Sequence, residues 1–148
     1  MSARRGKKGN MYPVLFLMLL CVSCAPSSYI TKSFPKDQGE NFSKVWVIRS
    51  YNPMGIGLSV EVVLDHQPIA YLNIGEYIEF SLRPEIHTLG VAVGGMEEYK
   101  KEINFEPGKK YYFLTGPGAV AFDYDQLTTE KGQEWLKRKG MKKIEESE

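Results

Sequence analysis

From residue 44 onward, apolar and polar side chains alternate in short segments, the pattern that half-buried β-strands produce. In residues 76–82, EYIEFSL, the apolar Ile78, Phe80 and Leu82 all fall on one face. Other segments have the same character, and many are rich in aromatic or β-branched residues, which favour strands. The predicted strands are KVWVIRSY, LSVEVVLD, IAYL, EYIEFSL, IHTLGVAV, EEYKKEINF, YYFLTG and AVAFDY.

Short turn sequences separate most of these strands. Pro68 lies in DHQPI, Gly94 and Gly95 permit a tight hairpin, and EPGKK lies between two later strands. Strands at hairpin spacing must bury one face each, and no helix is predicted among them to cover that face. The sequence therefore predicts an all-β fold, an antiparallel β-sandwich of about seven or eight strands.

One α-helix is predicted after the strands, in LTTEKGQEWLKRKG. Thr128 or Thr129 can cap its first turn, and Gly140 is a natural stop. An acidic residue near the start and basic residues in the last turn suit the helix dipole. Trp135 and Leu136 are expected to dock on the sandwich.

The first 23 residues have a different pattern. Four basic residues between positions 4 and 8 precede an uncharged apolar run over 14–22, and small residues follow. The run is shorter than the ~18–20 residues that a bilayer-spanning helix needs. It is also unbroken, whereas a core helix carries polar residues at helical spacing. Residues 1–23 are therefore predicted to be a secretory signal peptide.

The two cysteines of the chain, Cys21 and Cys24, both lie at the end of this run, in CVSC. This stretch resembles the lipobox of bacterial lipoproteins, although Cys21 stands where leucine is commonest. The resemblance implies cleavage just before Cys24 and a diacylglycerol on its sulfur, usually with a third acyl chain on its amine. Two or more chains give stable membrane attachment. The alternative is an ordinary cleaved signal peptide that leaves Cys24 as a free thiol.

The predicted organisation has four parts along the chain. The signal peptide, 1–23, is followed by a flexible tether, 24–43, which is inferred from its Ser, Pro and polar composition. The sandwich with its helix spans 44–140. A charged tail, 141–148, is expected to fray.

The net charge of the chain limits the classes of partner that the domain is expected to bind. The precursor has 19 Lys and Arg against 18 Asp and Glu, and removal of the signal peptide leaves 15 against 18, a net charge of about −3. A weakly acidic domain has no electrostatic footprint for nucleic acid, so no nucleic-acid partner is predicted.

The segment from Val45 to about Lys139 resembles PEGA-type sandwich domains, in a bacterial lipoprotein family of unknown function. The matching stretches are VWVIRS, LDHQPIAYLNIGEYIEFSLRPEIHTLGV and EPGKKYYFLTG. The resemblance implies a β-sandwich and is nearly silent about chemistry. Glu85 departs from the family pattern, which has glycine after Pro84, so a positive φ at Glu85 would be strained.

Candidate catalytic and metal-binding residues are few. His66 lies in a predicted turn beside Asp65 and is interpreted as a solvated turn residue. His87 shares the face of the apolar residues of its strand and is interpreted as half-buried and bonded to backbone. Histidines on separate turns, without a free cysteine, argue against a transition-metal site. The sequence therefore predicts no catalytic residue, metal or cofactor.

Other polar and aromatic clusters favour structural interpretations. Asp123 and Asp125 share a strand face, but no tightly wound loop like those of calcium sites accompanies them. The acidic pairs at 97–98 and 145–146 are interpreted as solvated. Core packing is favoured over a binding surface for five aromatic residues: Tyr111, Tyr112, Phe113, Phe122 and Tyr124.

These observations predict a lipid-anchored, non-catalytic binding or interaction module of the bacterial cell envelope, with a protein or glycan partner. Ala25 after the cysteine implies, by the lipoprotein resemblance, an outer-membrane location facing the periplasm. Two alternatives stay open. One is an envelope hydrolase with a site near His87, which would need Asp65 and a serine beside it. The other is a structural subunit of an envelope assembly.

Overall fold

The computed structural model describes residues 28–32, 34, 41–53, 56–94, 99–117 and 122–145. The predicted signal peptide, 1–23, and the predicted lipidation site, Cys24, lie outside these residues. Within the described part of the chain, no helix is both long and apolar enough to cross a bilayer.

The described residues form ten strands and one helix. The strands are β1 (Tyr29–Ile30), β2 (Ser43–Arg49), β3 (Val60–Leu64), β4 (Gln67–Leu72), β5 (Glu76–Leu82), β6 (Ile86–Val93), β7 (Tyr99–Asn104), β8 (Lys110–Pro117), β9 (Phe122–Leu127) and β10 (Lys142–Lys143). The helix is α1 (Thr129–Leu136). Each of the eight longer strands overlaps one of the eight predicted segments, although β9 does so only over 122–124 and extends to Leu127. The two extra strands have two residues each.

The strands make two five-stranded sheets that pack face to face. Sheet 1 has the order β1-β4-β3-β6-β7, and sheet 2 has the order β10-β5-β2-β8-β9. The all-β sandwich is therefore confirmed. Not all pairings are antiparallel, however: β2 is parallel to β8, and β10 is parallel to β5. The parallel pairs join strands that are far apart in sequence, so hairpin spacing could not indicate them.

The core lies between the two sheets and follows the predicted alternation. Ile78, Phe80 and Leu82 of β5 are buried, and the residues between them are partly exposed. The inner face of β6 is likewise buried from Leu89 to Val93. Leu58 continues the apolar alternation of LSVEVVLD, which predicts a core position, but it is 45% exposed because it lies in the loop before β3.

Helix α1 covers the outer face of sheet 2. Trp135 and Leu136 pack against a second apolar cluster of Trp46, Ile48 and Tyr112, as the sequence predicted. Thr128 is the N-cap, and its side chain accepts a hydrogen bond from the Lys131 backbone N–H. The basic residues expected in the last turn lie just beyond the helix, which ends at Leu136.

The predicted tether needs a correction for its described residues. Tyr29 and Ile30 form β1, which pairs antiparallel with β4 at the edge of sheet 1. The ring of Phe34 lies 4.8 Å from that of Phe80 and packs on the main core. The composition of 24–43 suggested a mobile spacer, but its few apolar residues are enough to dock this part of the segment on the sandwich.

The predicted charged tail needs a similar correction. Lys142 and Lys143 form β10 beside β5, and Ile144 is buried at 6% exposure. The Ile144 backbone N–H donates to the Tyr77 carbonyl. The single isoleucine therefore holds residues 142–144 against sheet 2 among otherwise charged neighbours.

The sandwich has two ends, which are named here by their connections. The hairpin end carries the β3–β4 turn at Asp65 and His66 and the start of β6 at Ile86. The loop end carries Arg49, the described residues that follow it (50–53 and 56–59), and the turn before Glu76.

Candidate functional site

The hairpin end contains the histidine that the sequence singled out. Asp65 and His66 connect β3 to β4 with φ values of 49° and 64°, and they are the described non-glycine residues with positive φ. A two-residue turn of this kind matches the twist of the strands, and Asp and His tolerate positive φ better than bulkier residues. His66 is exposed in this turn, as predicted.

His87 lies between two carboxylates. Its Nδ1 is 2.7 Å from Asp65 Oδ2, and its Nε2 is 3.5 Å from Glu85 Oε1. Asp65 Oδ1 also accepts a hydrogen bond from the Thr88 backbone N–H at 3.0 Å. The side chain of His87 is 13% exposed, so the expected partial burial is correct, but its partners are carboxylates rather than backbone.

These contacts set the pKa of the Asp65 carboxyl. Partial burial raises this pKa, but hydrogen bonds from His87 and the Thr88 N–H outweigh the burial. Electrostatic interactions with His87 and Lys32 lower this pKa as well. The pKa of Asp65 therefore lies below its ordinary value, and the carboxylate stays charged at neutral pH.

The His87 cluster does not form a catalytic triad among the described residues. Nε2, the atom that would take a proton from a nucleophile, is buried and lies next to Glu85. Ser81 lines the same groove of about 230 Å³, but it alternates with the core-facing Phe80 and Leu82. Its side chain therefore leaves sheet 2 on the face opposite to sheet 1, which carries His87.

The same cluster does not converge on one metal ion. Asp65 contacts Nδ1 and Glu85 approaches Nε2, so the two carboxylates lie on opposite sides of the ring. No group of three or more metal-ligating side chains is found within the described ranges. Glu85 does not have a positive φ. The departure from the family's glycine after Pro84 therefore causes no backbone strain at this position.

The loop end contains a buried charge that the sequence analysis missed. Arg49 is fully buried, and its Nη1 donates hydrogen bonds to the carbonyls of Leu58 at 2.5 Å and Leu72 at 2.7 Å. Arg49 belongs to sheet 2, and both carbonyls belong to the sheet 1 side, so the guanidinium links the two sheets. The signal was an arginine at the end of the apolar run VWVIR.

Glu76 accompanies this arginine. Burial lowers the pKa of Arg49, and the negative charge of Glu76 partly restores it. Glu76 Oε2 accepts the Asn73 backbone N–H at 2.7 Å, and Oε1 accepts the Ser28 hydroxyl at 3.1 Å. Burying a charge costs free energy unless the charge is paired or hydrogen-bonded, so these contacts offset the cost of burying Arg49 and Glu76. They also fix the start of β1 at the loop end.

The outer face of sheet 1 is a third candidate. The rings of Tyr29 and Tyr71 stack at 4.7 Å, and Tyr71 lies opposite Glu61 on the neighbouring strand. Burial and the charge of Glu61 raise the pKa of Tyr71, so its hydroxyl stays protonated. Next to these residues is a groove of about 320 Å³ that also contacts Ala92 and Gly94. No described helix covers this face.

The remaining sequence candidates have structural roles or lie elsewhere. Asp123 and Asp125 are exposed on β9, and Asp125 lies 3.8 Å from the Lys101 ammonium. The predicted core role of the five aromatic residues is confirmed, since four are buried and Phe122 packs against the core: Tyr111, Tyr112, Phe113, Phe122 and Tyr124. Residues 97–98 and Glu146 lie outside the described ranges.

Comparison with known proteins found no family model and no curated protein that matches the chain.

Proposed function

We propose that the protein is a lipid-anchored, non-catalytic interaction module of the bacterial cell envelope, held in the membrane by acyl chains on Cys24. The proposal rests on the order of features along the chain: a basic N-terminal segment, a short apolar run, CVSC, and then the sandwich, to which Ser28 is already hydrogen-bonded. We further propose an outer-membrane location facing the periplasm, following Ala25.

The non-catalytic part is supported by the geometry at the hairpin end. Asp65 and His87 lie as close together as the acid and base of a catalytic pair, but both ring nitrogens of His87 face carboxylates. The two grooves described above have volumes of about 320 and 230 Å³, and neither contains a nucleophile beside a free base. The buried polar groups of the loop end fit structural roles, since Arg49 and Glu76 join the sheets and the first strand.

The outer face of sheet 1 is the proposed partner surface. Sheet 2 is covered by α1, whereas sheet 1 presents a groove lined by Tyr71 and Glu61, and Tyr29 stacks on Tyr71 beside it. Tyrosine combines an apolar ring with a polar end, and it is enriched where proteins bind partners. A stacked tyrosine pair beside a carboxylate suits a polar partner, which can be a protein or a glycan of the envelope.

The first test is the intact mass of the protein from its native membrane fraction, beside a Cys24→Ala variant. The expected wild-type mass lacks residues 1–23 and includes acylglycerol chains, and the variant is soluble or unprocessed. A wild-type chain that begins at Cys24 without lipid would contradict the anchor and leave a free thiol.

The partner surface is tested separately by a photo-crosslinking residue at Ala92, which contacts the groove, in cells that make the lipidated protein. The matched control carries the same residue at Lys131, which is exposed on α1. A defined adduct from position 92 and none from position 131 is expected. Equal labelling from both positions would show that the sheet 1 face is not selective.

An envelope hydrolase is the second candidate, because Asp65 and His87 lie within hydrogen-bonding distance and Ser81 contacts the same groove. A fluorophosphonate probe, which reacts with activated serines, discriminates the two functions. We expect no labelling of the wild type. Labelling at Ser81 that disappears in a His87→Gln variant would favour the hydrolase over the interaction module.

A further inference from the structure

The distance between the proposed lipid and the folded domain is short. Ser28 follows Cys24 by four residues, and its side chain already binds Glu76. Four residues span at most about 14 Å when fully extended, whereas a free tether over 24–43 would reach about 70 Å. The domain is therefore held close to the bilayer surface, provided that Cys24 is lipidated as proposed above.

The docked strand also fixes which end of the sandwich faces the membrane. Ser28 lies at the loop end, beside Glu76, and β1 then runs away from it: Tyr29 pairs with Tyr71, and Ile30 pairs with Ala70. The Thr31 backbone N–H continues the ladder by donating to the Ile69 carbonyl. The chain that leads back to the lipid consequently leaves from the loop end.

The loop end carries exposed apolar side chains. Tyr51 is 70% exposed, Ile56 is 75% exposed and Leu58 is 45% exposed. The positions of Tyr51 and Leu58 are fixed by the fold, because Tyr51 packs beside Gly75 and the Leu58 carbonyl binds Arg49. Tyrosine and aliphatic residues at one end of a domain are suited to the boundary between lipid headgroups and acyl chains.

The charge at this end complements an anionic bilayer. Five exposed basic residues follow α1 in the described part of the chain: Lys137, Arg138, Lys139, Lys142 and Lys143, the last of which pairs with Glu79. This segment lies against the loop end, because the Lys142 backbone N–H donates to the Gly75 carbonyl at 2.9 Å. Arg138 is also paired with Glu134. Glu76 is buried, and Asp123 is an exposed acid near the same end.

We infer that the loop end is a membrane-contact surface: Tyr51, Ile56 and Leu58 enter the headgroup region of the bilayer that holds the Cys24 lipid, and the basic segment contacts anionic headgroups. The lipid then fixes the orientation of the domain on the bilayer and also attaches the domain to it. The hairpin end points away from the bilayer, whereas the groove on the outer face of sheet 1, which Leu58 also lines, opens close to the bilayer surface.

The test uses the lipidated protein in vesicles of phosphatidylethanolamine and phosphatidylglycerol. Lipidation blocks the Cys24 thiol, so Ile56→Cys provides one site for an environment-sensitive fluorophore. Ile86→Cys is the matched control, because Ile86 is 63% exposed at the hairpin end. We expect the label at position 56 to brighten and to be quenched by spin-labelled lipid, while the label at position 86 stays in water.

The contribution of the basic segment is tested with a double variant, Lys139→Gln with Lys142→Gln. We expect it to reduce the quenching of the position 56 label when phosphatidylglycerol is present, and to change nothing in vesicles of phosphatidylcholine alone. Equal quenching in wild type and variant at every composition would overturn the electrostatic part of the inference.

The intact mass of each labelled sample separates the possible failures. If the protein carries lipid but positions 56 and 86 are quenched alike or not at all, the orientation is wrong and the anchored module stands. If the protein carries no lipid, the anchor is wrong, and the orientation falls with it because its argument depends on the four-residue distance.

Discussion

The ring of Tyr112 lies against Gly132 so closely that a β-carbon on Gly132 would overlap it. Tyr112 stacks on Trp46 at 4.6 Å, and the helix backbone at Gly132 rests on this aromatic pair. The absence of a side chain therefore sets how closely α1 approaches sheet 2.

This contact predicts that Gly132→Ala destabilises the protein, although alanine favours an isolated helix by about 1 kcal/mol over glycine. Overpacking against a buried ring costs roughly 1–3 kcal/mol, and the contact cannot relax without lifting α1. Urea unfolding would measure the change. Lys131→Ala, at an exposed position of the same helix, is expected to leave the midpoint unchanged. A more stable Gly132→Ala variant would contradict the close packing.

Two buried tyrosines differ in what their hydroxyls bind. Tyr124 is 6% exposed, and its hydroxyl has no hydrogen-bond partner among the described atoms. The Tyr111 hydroxyl accepts the Glu106 backbone N–H at 2.9 Å. Burial raises the pKa of Tyr124 far above its ordinary value, as expected for an unpaired phenol in an apolar core.

We therefore expect Tyr124→Phe to be neutral or stabilising by up to about 1 kcal/mol, because it removes an unsatisfied polar group. Tyr111→Phe, the matched change, is expected to destabilise by about 1 kcal/mol, because it leaves the Glu106 N–H without an acceptor. Thermal unfolding of the two variants under the same conditions measures the difference. A larger loss from Tyr124→Phe than from Tyr111→Phe would refute this assignment.

The Asp65 carboxylate makes the stability depend on pH. Its folded-state pKa is lower than its ordinary value of 3.8, so it stabilises the fold above that pH. This stabilisation is lost as the pH falls through 3.8 towards the folded-state value. Because the side chain is 51% exposed, solvent screening keeps the effect small.

The corresponding prediction concerns Asp65→Asn, which preserves the positive-φ turn. Its melting temperature is expected to lie below that of the wild type near neutral pH, with a difference that shrinks below about pH 4. Circular dichroism over about pH 3–7 measures this. Asp123→Asn, an exposed aspartate at the loop end, serves as control. A difference that grows as the pH falls would have the opposite sign to the one derived.

The docking of the N-terminal segment gives a fourth prediction. Phe34 packs beside Phe80, so Phe34→Ala is expected to destabilise the domain by about 1–2 kcal/mol, less than for a fully buried phenylalanine. Ile56→Ala is the control, because that side chain is 75% exposed. Equal denaturation midpoints for wild type and Phe34→Ala would contradict the docking and support the flexible tether that the sequence predicted.

The sequence predicted most of the fold because alternation is strong wherever one face of a strand is buried. The patterns around Phe80 and Val91 placed core residues correctly, and Thr128 and Trp135 defined the helix. The two short edge strands were missed, since two residues cannot show a period. The pair Tyr29 and Ile30 and the single Ile144 lie in polar surroundings, and their docking depends on tertiary contacts.

The candidate sites were less predictable for the same reason. Asp65 and His87 are far apart in sequence, and only the pairing of β3 with β6 brings them together. The position of Arg49 suggested a strand end, but its role depends on carbonyls from two other parts of the chain. Such contacts follow from topology, which a local pattern does not contain.

The parallel pairing of β2 with β8 also bears on the order in which the strands can pair as the chain folds. Strand β2 is central in sheet 2, yet Lys44 pairs with Lys110, and its other neighbour, β5, comes well after it in the chain. If the chain crosses a membrane from its N-terminus, β2 emerges with both edges uncovered until those later strands arrive. Such long-range pairing is slow and exposes apolar surface. For a chain exported as proposed, the interval between translocation and closure of sheet 2 is thus when the apolar side chains of β2 are most exposed.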